Sequence, residues 1–239
     1  MIIQTIPCLQ DNFCYLIINE TNLDTYIIDP GESGPIEKEI IKQNLNLKYI
    51  LNTHHHYDHV GGNIKLKSKF NCKVIAFEKD KNQIPGIDIL LKDREKWSEN
   101  NFNFEVFHVP GHTINHVCFY FKKLNALFTG DTLFSLGCGR IFEGTYKQMY
   151  ESLKLIKCFP KETMIYFGHE YTMQNSKFCQ VHDKYNKNLS VMVDKIYSKL
   201  NKGLYTTPTN LGEEIESNIF LKTNSLENFS KLRHLKDNF

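Results

Sequence analysis

No run of apolar residues in this 239-residue chain approaches the roughly 20 that span a bilayer. A surplus of either charge is also missing. Lys and Arg number 29 and Asp and Glu 27, a net of +2, so charge alone implies neither a nucleic-acid nor a membrane-surface partner. The opening Met1-Ile2-Ile3-Gln4 lacks a basic region followed by an apolar one, and no export signal is expected. The seven cysteines, Cys8, Cys14, Cys72, Cys118, Cys138, Cys158 and Cys179, are odd in number and form no CxxC pair. Buried free thiols in a reducing compartment account for them better than disulfides, and a cytoplasmic location is expected. Internal repeats and long linkers are absent too. What remains, 41% hydrophobic and 23% charged, is the composition of a globular domain able to bury a sizeable core.

Against that background, residues 53–59 stand out: Thr-His-His-His-Tyr-Asp-His. His54, His56, Asp58 and His59 crowd into one short stretch. The apolar run Tyr49-Ile50-Leu51 before them reads as a buried strand. Gly61-Gly62 and Asn63-Ile64-Lys65-Leu66 after them read as a loop entering a helix. Ligands at the end of a strand sit on a rigid mount, which suits a metal site.

The rest of the chain repeats this arrangement. Short β-type runs are expected at 1–6, 14–18 and 25–28, the last ending in the turn Asp29-Pro30-Gly31. Gly34-Pro35 opens a helix with Ile36, Ile40 and Ile41 as its buried stripe. Strand 48–51 leads to the histidine cluster, then come helix 63–70 and strand 73–76. The stretch 78–101 is polar and irregular and takes no assignment. Strand 104–109 ends at Pro110-Gly111-His112-Thr113. Strands 117–121 and 126–129 follow, the second ending at Gly130-Asp131-Thr132. A helix over 146–157 precedes strand 164–167, which ends at Gly168-His169-Glu170-Tyr171. Four apolar strands thus end in candidate ligands, and sites of layered α/β folds gather where strand ends meet loops. After Tyr171 strand-like runs stop. Leu189, Met192, Ile196 and Leu200 share one helical face, Gly203 is a helix stop, and further helices begin near 209 and 226. The division expected is a sheet-based domain over 1–170 and a helical domain over 171–239.

Imidazole suits borderline cations such as Zn, and carboxylate also accommodates Fe or Mn. His54, His56 and His112 could form one three-nitrogen site, Asp58, His59 and His169 a second, and Asp131 could bridge them. Two cations about 3.5–4 Å apart acidify a shared water and stabilise an oxyanion. The expected reaction is hydrolysis of an acyl-type or phosphoester bond. His108, His182 and His234 read as ordinary surface or core residues, and His55 and His116 as supporting ones.

The runs THHHYDH, PGHT, GD at Asp131 and GHEY at His169 resemble, in order, the metal motifs of the metallo-β-lactamase superfamily. GDTLFSLGCGRIFEGT at 130–145, GHEYT at 168–172 and the tail Arg233-His234-Leu235-Lys236-Asp237-Asn238-Phe239 resemble the hydroxyacylglutathione hydrolase (glyoxalase II) family almost end to end. Tyr57, Asn115 and Ile219 depart from that family's commoner Trp, Gly and Pro. The resemblance implies an α/β fold, an αββα sandwich with a smaller C-terminal helical domain. It implies hydrolysis of S-D-lactoylglutathione to glutathione and D-lactate, the detoxification of methylglyoxal, with two divalent cations, Zn first and Fe or Mn as alternatives. Carried over, His54, His56 and His112 hold one cation, Asp58, His59 and His169 the other, and Asp131 bridges. Asp58 also orients the attacking hydroxide, and glutathione lies against Arg140, Tyr171, Arg233 and Lys236, the Arg and Lys cations matching its carboxylates. No macromolecular partner is implied and a monomer is expected. Two rival readings are a glutathione persulfide dioxygenase with one iron, and a non-catalytic metal-binding module. The full ligand set and the basic tail argue against both.

Overall fold

The computed structural model describes residues 1–99 and 101–239. The chain divides into two compact units, Met1–His108 with Val117–Leu124, and Val109–His116 with Asn125–Phe239. Each is built around its own sheet strands.

The first unit contains β1 (Ile2–Cys8), β2 (Asn12–Ile18), β3 (Asp24–Ile28), α1 (Gly34–Lys42), β4 (Asn46–Leu51), α2 (Tyr57–Val60), α3 (Asn63–Phe70), β5 (Lys73–Phe77), β6 (Ile87–Leu91), β7 (Lys96–Glu99), β8 (Phe102–His108) and β9 (Val117–Phe121). Strands β1 to β6 lie side by side in sequence order. The β1–β2–β3 pairs are antiparallel and the β3–β4–β5–β6 pairs parallel. The β3–β4 and β4–β5 pairs come from crossovers through α1 and α3, while β5 reaches β6 through a 3₁₀ turn at Glu78–Asp80, and a parallel sheet needs cover on both faces. One face is covered by those helices. Alternation along the strands puts Leu16, Ile27, Ile50 and Val74 in a single cluster with Ile36, Ile40 and Leu66.

The opposite face meets β7 and β8. Tyr26 stacks on Phe102 with ring centroids 3.7 Å apart, and Tyr49 meets Trp97 edge-on at 5.3 Å. Tyr26 and Ile27 are neighbours in sequence but serve opposite faces, as the two-residue period of a strand requires. Buried hydroxyls need partners. Trp97 Nε1 donates to the Tyr26 hydroxyl at 3.1 Å and Tyr49 donates to Glu99 at 2.6 Å.

The second unit contains β10 (Ala126–Gly130), β11 (Leu133–Phe134), β12 (Gly137–Cys138), α4 (Tyr146–Lys157), β13 (Met164–Phe167), α5 (Thr172–His182), α6 (Lys187–Asn201), β14 (Thr209–Asn210), α7 (Leu211–Ser217) and α8 (Leu226–Asp237). β10 and β13 pair in parallel, β13 and β14 antiparallel. α4 starts with a capping box. The Gln148 amide donates to Thr145 Oγ1 and the Thr145 amide donates to Gln148 Oε1, so two amides that lack helical partners are satisfied. Phe178, Phe220 and Phe229 form the aromatic centre of the C-terminal helices.

Three expectations need correction. The stretch 78–101 is not irregular: it holds a 3₁₀ turn (Glu78–Asp80), β6 and β7, while Asn100 lies outside the described residues. Ile41 is 61% exposed, because it sits 100° round the helix from the i, i+4 pair Ile36 and Ile40 that is buried. Strands do not stop at Tyr171 either, since β14 adds an edge to β13. The free-thiol reading is borne out: all seven cysteines are unpaired, and only Cys158 is exposed. Among the described residues no helix is long and apolar enough to cross a membrane.

Candidate metal centre

In the first unit β4 runs straight into the histidine cluster. The turn is held from behind by Asp29, a buried residue at the end of β3 whose φ of +52° lies in the left-handed region. Its carboxylate accepts from the Thr53 amide at 2.7 Å and the Thr53 hydroxyl at 2.6 Å, and it sits 3.0 Å from His59 Nδ1. A carboxylate accepts only, so His59 carries its proton on Nδ1 and keeps the Nε2 lone pair. The Thr53 hydroxyl has spent its proton on Asp29, so it accepts from His54 Nδ1 at 3.0 Å. His54 is therefore the same tautomer. Asn52 Nδ2 donates to the His59 carbonyl at 2.9 Å. Asn12 Nδ2 bonds Asp58 Oδ2 at 2.9 Å and the Asp58 carbonyl at 3.1 Å. The turn needs close backbone approach: a Cβ on Gly31 would lie 2.2 Å from the Asp58 carbonyl oxygen. The His54 ring lies 4.7 Å from that of His56 and 4.2 Å from that of His59, centroid to centroid. Asp29, His54 and His59 offer ligand-type atoms within 4.8 Å of one another, though Asp29 spends its oxygens on Thr53 and His59. His55 turns to the buried Asp80, 3.4 Å away.

In the second unit Asp131, at the end of β10, places Oδ2 3.4 Å from His112 Nε2 and 3.2 Å from His169 Nε2. His112 donates from Nδ1 to the Arg140 carbonyl at 2.8 Å, so in the neutral imidazole Nε2 turns its lone pair toward the Asp131 carboxylate. The Asp131 amide donates to His116 Nε2 at 3.1 Å, and His116 Nδ1 is 3.2 Å from Thr132 Oγ1, the supporting role read for it above. Gly139 is required here: its Cβ would fall 1.9 Å from the Asp131 carbonyl oxygen. Tyr171 stacks flat on His169, centroids 4.7 Å apart. Arg140 is exposed and bonds the Asp237 carboxylate at 3.2 Å through Nε. Arg233 is buried. Its guanidinium donates to the Cys138 carbonyl at 2.7 Å and to Asp237 at 3.0 Å. Lys236 is half-buried over Phe178 and Phe239, and its pKa is lowered by that burial and then by Arg233.

The donor chemistry fits metal ions. His54 and His59 in the first unit and His112 in the second have Nδ1 taken up by a hydroxyl, a carboxylate and a carbonyl, which turns Nε2 outward as a ligand, and each unit adds carboxylate. A neutral imidazole and a carboxylate turned to one another, as His112 and Asp131 are, are a donor pair that a cation would suit. Asp29 was missed in the sequence. The signal was the same one used for Asp131, an apolar strand ending in an acid.

The model of the metallo-β-lactamase superfamily matches residues 10–169, and that of the hydroxyacylglutathione hydrolase C-terminus matches residues 170–239. Among solved structures, the BLEG-1 B3 metallo-β-lactamase superposes with a TM-score of 0.73 at 23% identity, over 93% of this chain and 100% of that one. ETHE1 from Myxococcus xanthus gives 0.75 at 24% identity, over 100% and 91%. These identities speak for the fold alone. Fold and His/Asp clusters together define a member of the metallo-β-lactamase superfamily, with its two mixed sheets and a C-terminal helical part, as expected. A hydroxyacylglutathione hydrolase from Pelagibacter ubique (strain HTCC1062) is 57% identical over 239 residues, covering 100% of both chains. One from Methylococcus capsulatus is 39% identical, covering 98% of this chain and 97% of that one. The chain belongs to the hydroxyacylglutathione hydrolase family.

Proposed function

We propose that the chain hydrolyses the thioester of S-D-lactoylglutathione to glutathione and D-lactate, the reaction of the family to which it belongs. The observation that carries the reading is the pair of histidine–carboxylate clusters whose tautomers are fixed from behind. His54, His56 and His112 would hold one divalent cation and Asp58, His59 and His169 the other, with Asp131 as the shared ligand that the family resemblance implies. The donor set favours Zn and admits Fe or Mn. When bound, such a pair acidifies a shared water and takes up charge from a carbonyl oxygen. Asp58, steadied by Asn12, orients the attacking hydroxide. Arg140, Tyr171 and Lys236 meet glutathione, and Arg233 supports them through Asp237, which bonds both arginines. The departing thiol has a pKa of about 8.5, so it leaves as thiolate without a strong general acid. An amide nitrogen would need one, which favours a thioester as substrate.

The change from one family match to the other at residue 170 supports a catalytic part over 1–170 and a glutathione-binding part over 171–239. The free thiols support a reducing, cytoplasmic setting. The test is a panel of glutathione thioesters offered to the purified protein with its metals counted. Turnover of the lactoyl thioester by metal-loaded protein is expected, and its absence would overturn the reading. Asp131→Ala is expected to lose most bound metal and at least about 100-fold in kcat/KM. Metal content and turnover both near those of the unaltered protein would refute the bridging assignment.

A further inference from the structure

The segment between Asp131 and Arg140 is gripped along its whole length by side chains. The Phe134 and Gly137 carbonyls accept from Asn218 Nδ2 at 3.3 and 3.1 Å, that of Ser135 from Asn175 at 3.1 Å, and that of Leu136 from the Cys179 thiol at 3.2 Å. The Cys138 carbonyl accepts from Arg233 at 2.7 Å. The donors come from α5, α8 and the residue just beyond α7. At the centre lies Glu214 of α7, wholly buried. Its Oε2 accepts from the Leu136 amide at 2.9 Å and from Asn218 at 3.0 Å, and its Oε1 accepts from the Thr209 hydroxyl at 2.8 Å. Leu136 has a φ of +56°, a left-handed conformation that is unfavourable for a branched residue and persists only where the surroundings enforce it.

We propose that Glu214 is a positioning residue for the hydrolysis: through the Leu136 amide it fixes the β11–β12 hairpin, and with it Asp131 and Arg140 at the hairpin's two ends. The inference rests on the roles proposed above for those two residues. A carboxylate taken wholly out of water is kept in a chain only where its partners repay the desolvation, and here those partners are the hairpin itself. The groups facing it are the Ser135 hydroxyl and Leu136 amide of the hairpin, Thr209 of β14, Asn218, and Cys179 of α5, whose thiol burial pushes up to about 12. Burial pushes Glu214 up to about 7 against the ordinary 4.5, opposed by those hydrogen bonds. Below about pH 7 the group is protonated and accepts the Leu136 amide more weakly, so the hairpin loosens as pH falls.

The test uses the metal-loaded enzyme and Glu214→Gln, which keeps size but turns an acceptor into a donor. KM for the lactoyl thioester and the Kd of glutathione by calorimetry are read from pH 6 to 9, with zinc retention against a chelator. About tenfold weaker glutathione binding and a thioester KM raised to match are expected at pH 8, equivalent to losing one charge-assisted bond. The unaltered enzyme is expected to show a rise in KM below pH 7, and that rise should be absent from the variant. Should Glu214→Gln fail to fold, Thr209→Val removes one donor and is expected to move the midpoint of that KM profile to higher pH. Unchanged binding and an unchanged profile in a folded variant would overturn the inference. An unaltered enzyme with no thioesterase activity would instead overturn the functional reading.

Discussion

Replacing Asp29 by Asn separates the metal centre's supporting hydrogen bonds from everything else at that position. Asn tolerates the left-handed backbone found there and has the same outline. The carboxylate receives three donors, from the Thr53 amide, the Thr53 hydroxyl and His59 Nδ1, at 2.7, 2.6 and 3.0 Å. An amide cannot satisfy all three. With its NH₂ toward the Thr53 amide, two buried donors face each other, at about 1–3 kcal/mol. With its NH₂ toward His59, the imidazole must move its proton to Nε2 and loses the lone pair a cation needs. The first outcome lowers the melting temperature by roughly 2–12 °C for a chain of this size. The second lowers zinc affinity about 10–100-fold. Chelator competition at fixed pH and thermal unfolding of metal-free protein read the two separately. Asp29→Asn with unchanged zinc affinity and unchanged melting temperature would refute the supporting role argued for this carboxylate.

Two other perturbations have directions set by the structure. Gly139→Ala would place a Cβ 1.9 Å from the Asp131 carbonyl oxygen. Backbone must move, and a loss of about 100-fold in kcat/KM is expected for a displacement near 1 Å, with unchanged thioesterase activity as the contrary result. Glu37 pairs with Lys69 and Lys65, and Lys69 foremost holds its carboxyl down at about 2 against 4.5. A depressed carboxyl stabilises the fold above its unfolded pKa and loses that contribution as pH falls, here from about 4.5 toward 2. Glu37→Gln should therefore show a shallower fall of melting temperature with acid over that window, and parallel curves would refute it.

The candidate ligands are legible wherever an apolar strand runs directly into them. Tyr49-Ile50-Leu51 before His54, Ala126 to Gly130 before Asp131 and Met164 to Phe167 before His169 are short buried runs whose ends a reader can find. Residues 78–101 were not legible for the opposite reason. β6 and β7 are edge strands with alternate residues exposed, and a four-residue strand of Lys-Trp-Ser-Glu has too little apolar surface to declare itself. Ile41 is exposed beside the buried Ile36 and Ile40 because one residue turns the helix by about 100°. Asp29 passed as turn chemistry, since Asp-Pro-Gly is a turn in any context. That its carboxylate reaches Thr53 and His59 is a fact of parallel pairing between β3 and β4. The clamp on residues 134–138 is invisible in sequence because its members, Asn175, Cys179, Glu214, Asn218 and Arg233, follow no spacing.

The two clusters solve one physical problem in different ways. A histidine that is to hold a cation must give up one nitrogen's proton and keep the other, and water cannot enforce that choice. In the first unit the choice is made by a single acid, with Thr53 passing the same constraint on to His54. In the second it is made by a backbone carbonyl, that of Arg140 for His112. A carbonyl is only as well placed as the segment that bears it. The Arg140 carbonyl lies at the end of a hairpin held by helical side chains from below. On this view the C-terminal helices have a second task besides the glutathione contact proposed for them. Through the hairpin they also hold the Arg140 carbonyl that accepts from His112 Nδ1, so damage to the clamp should show in metal retention before it shows in overall stability.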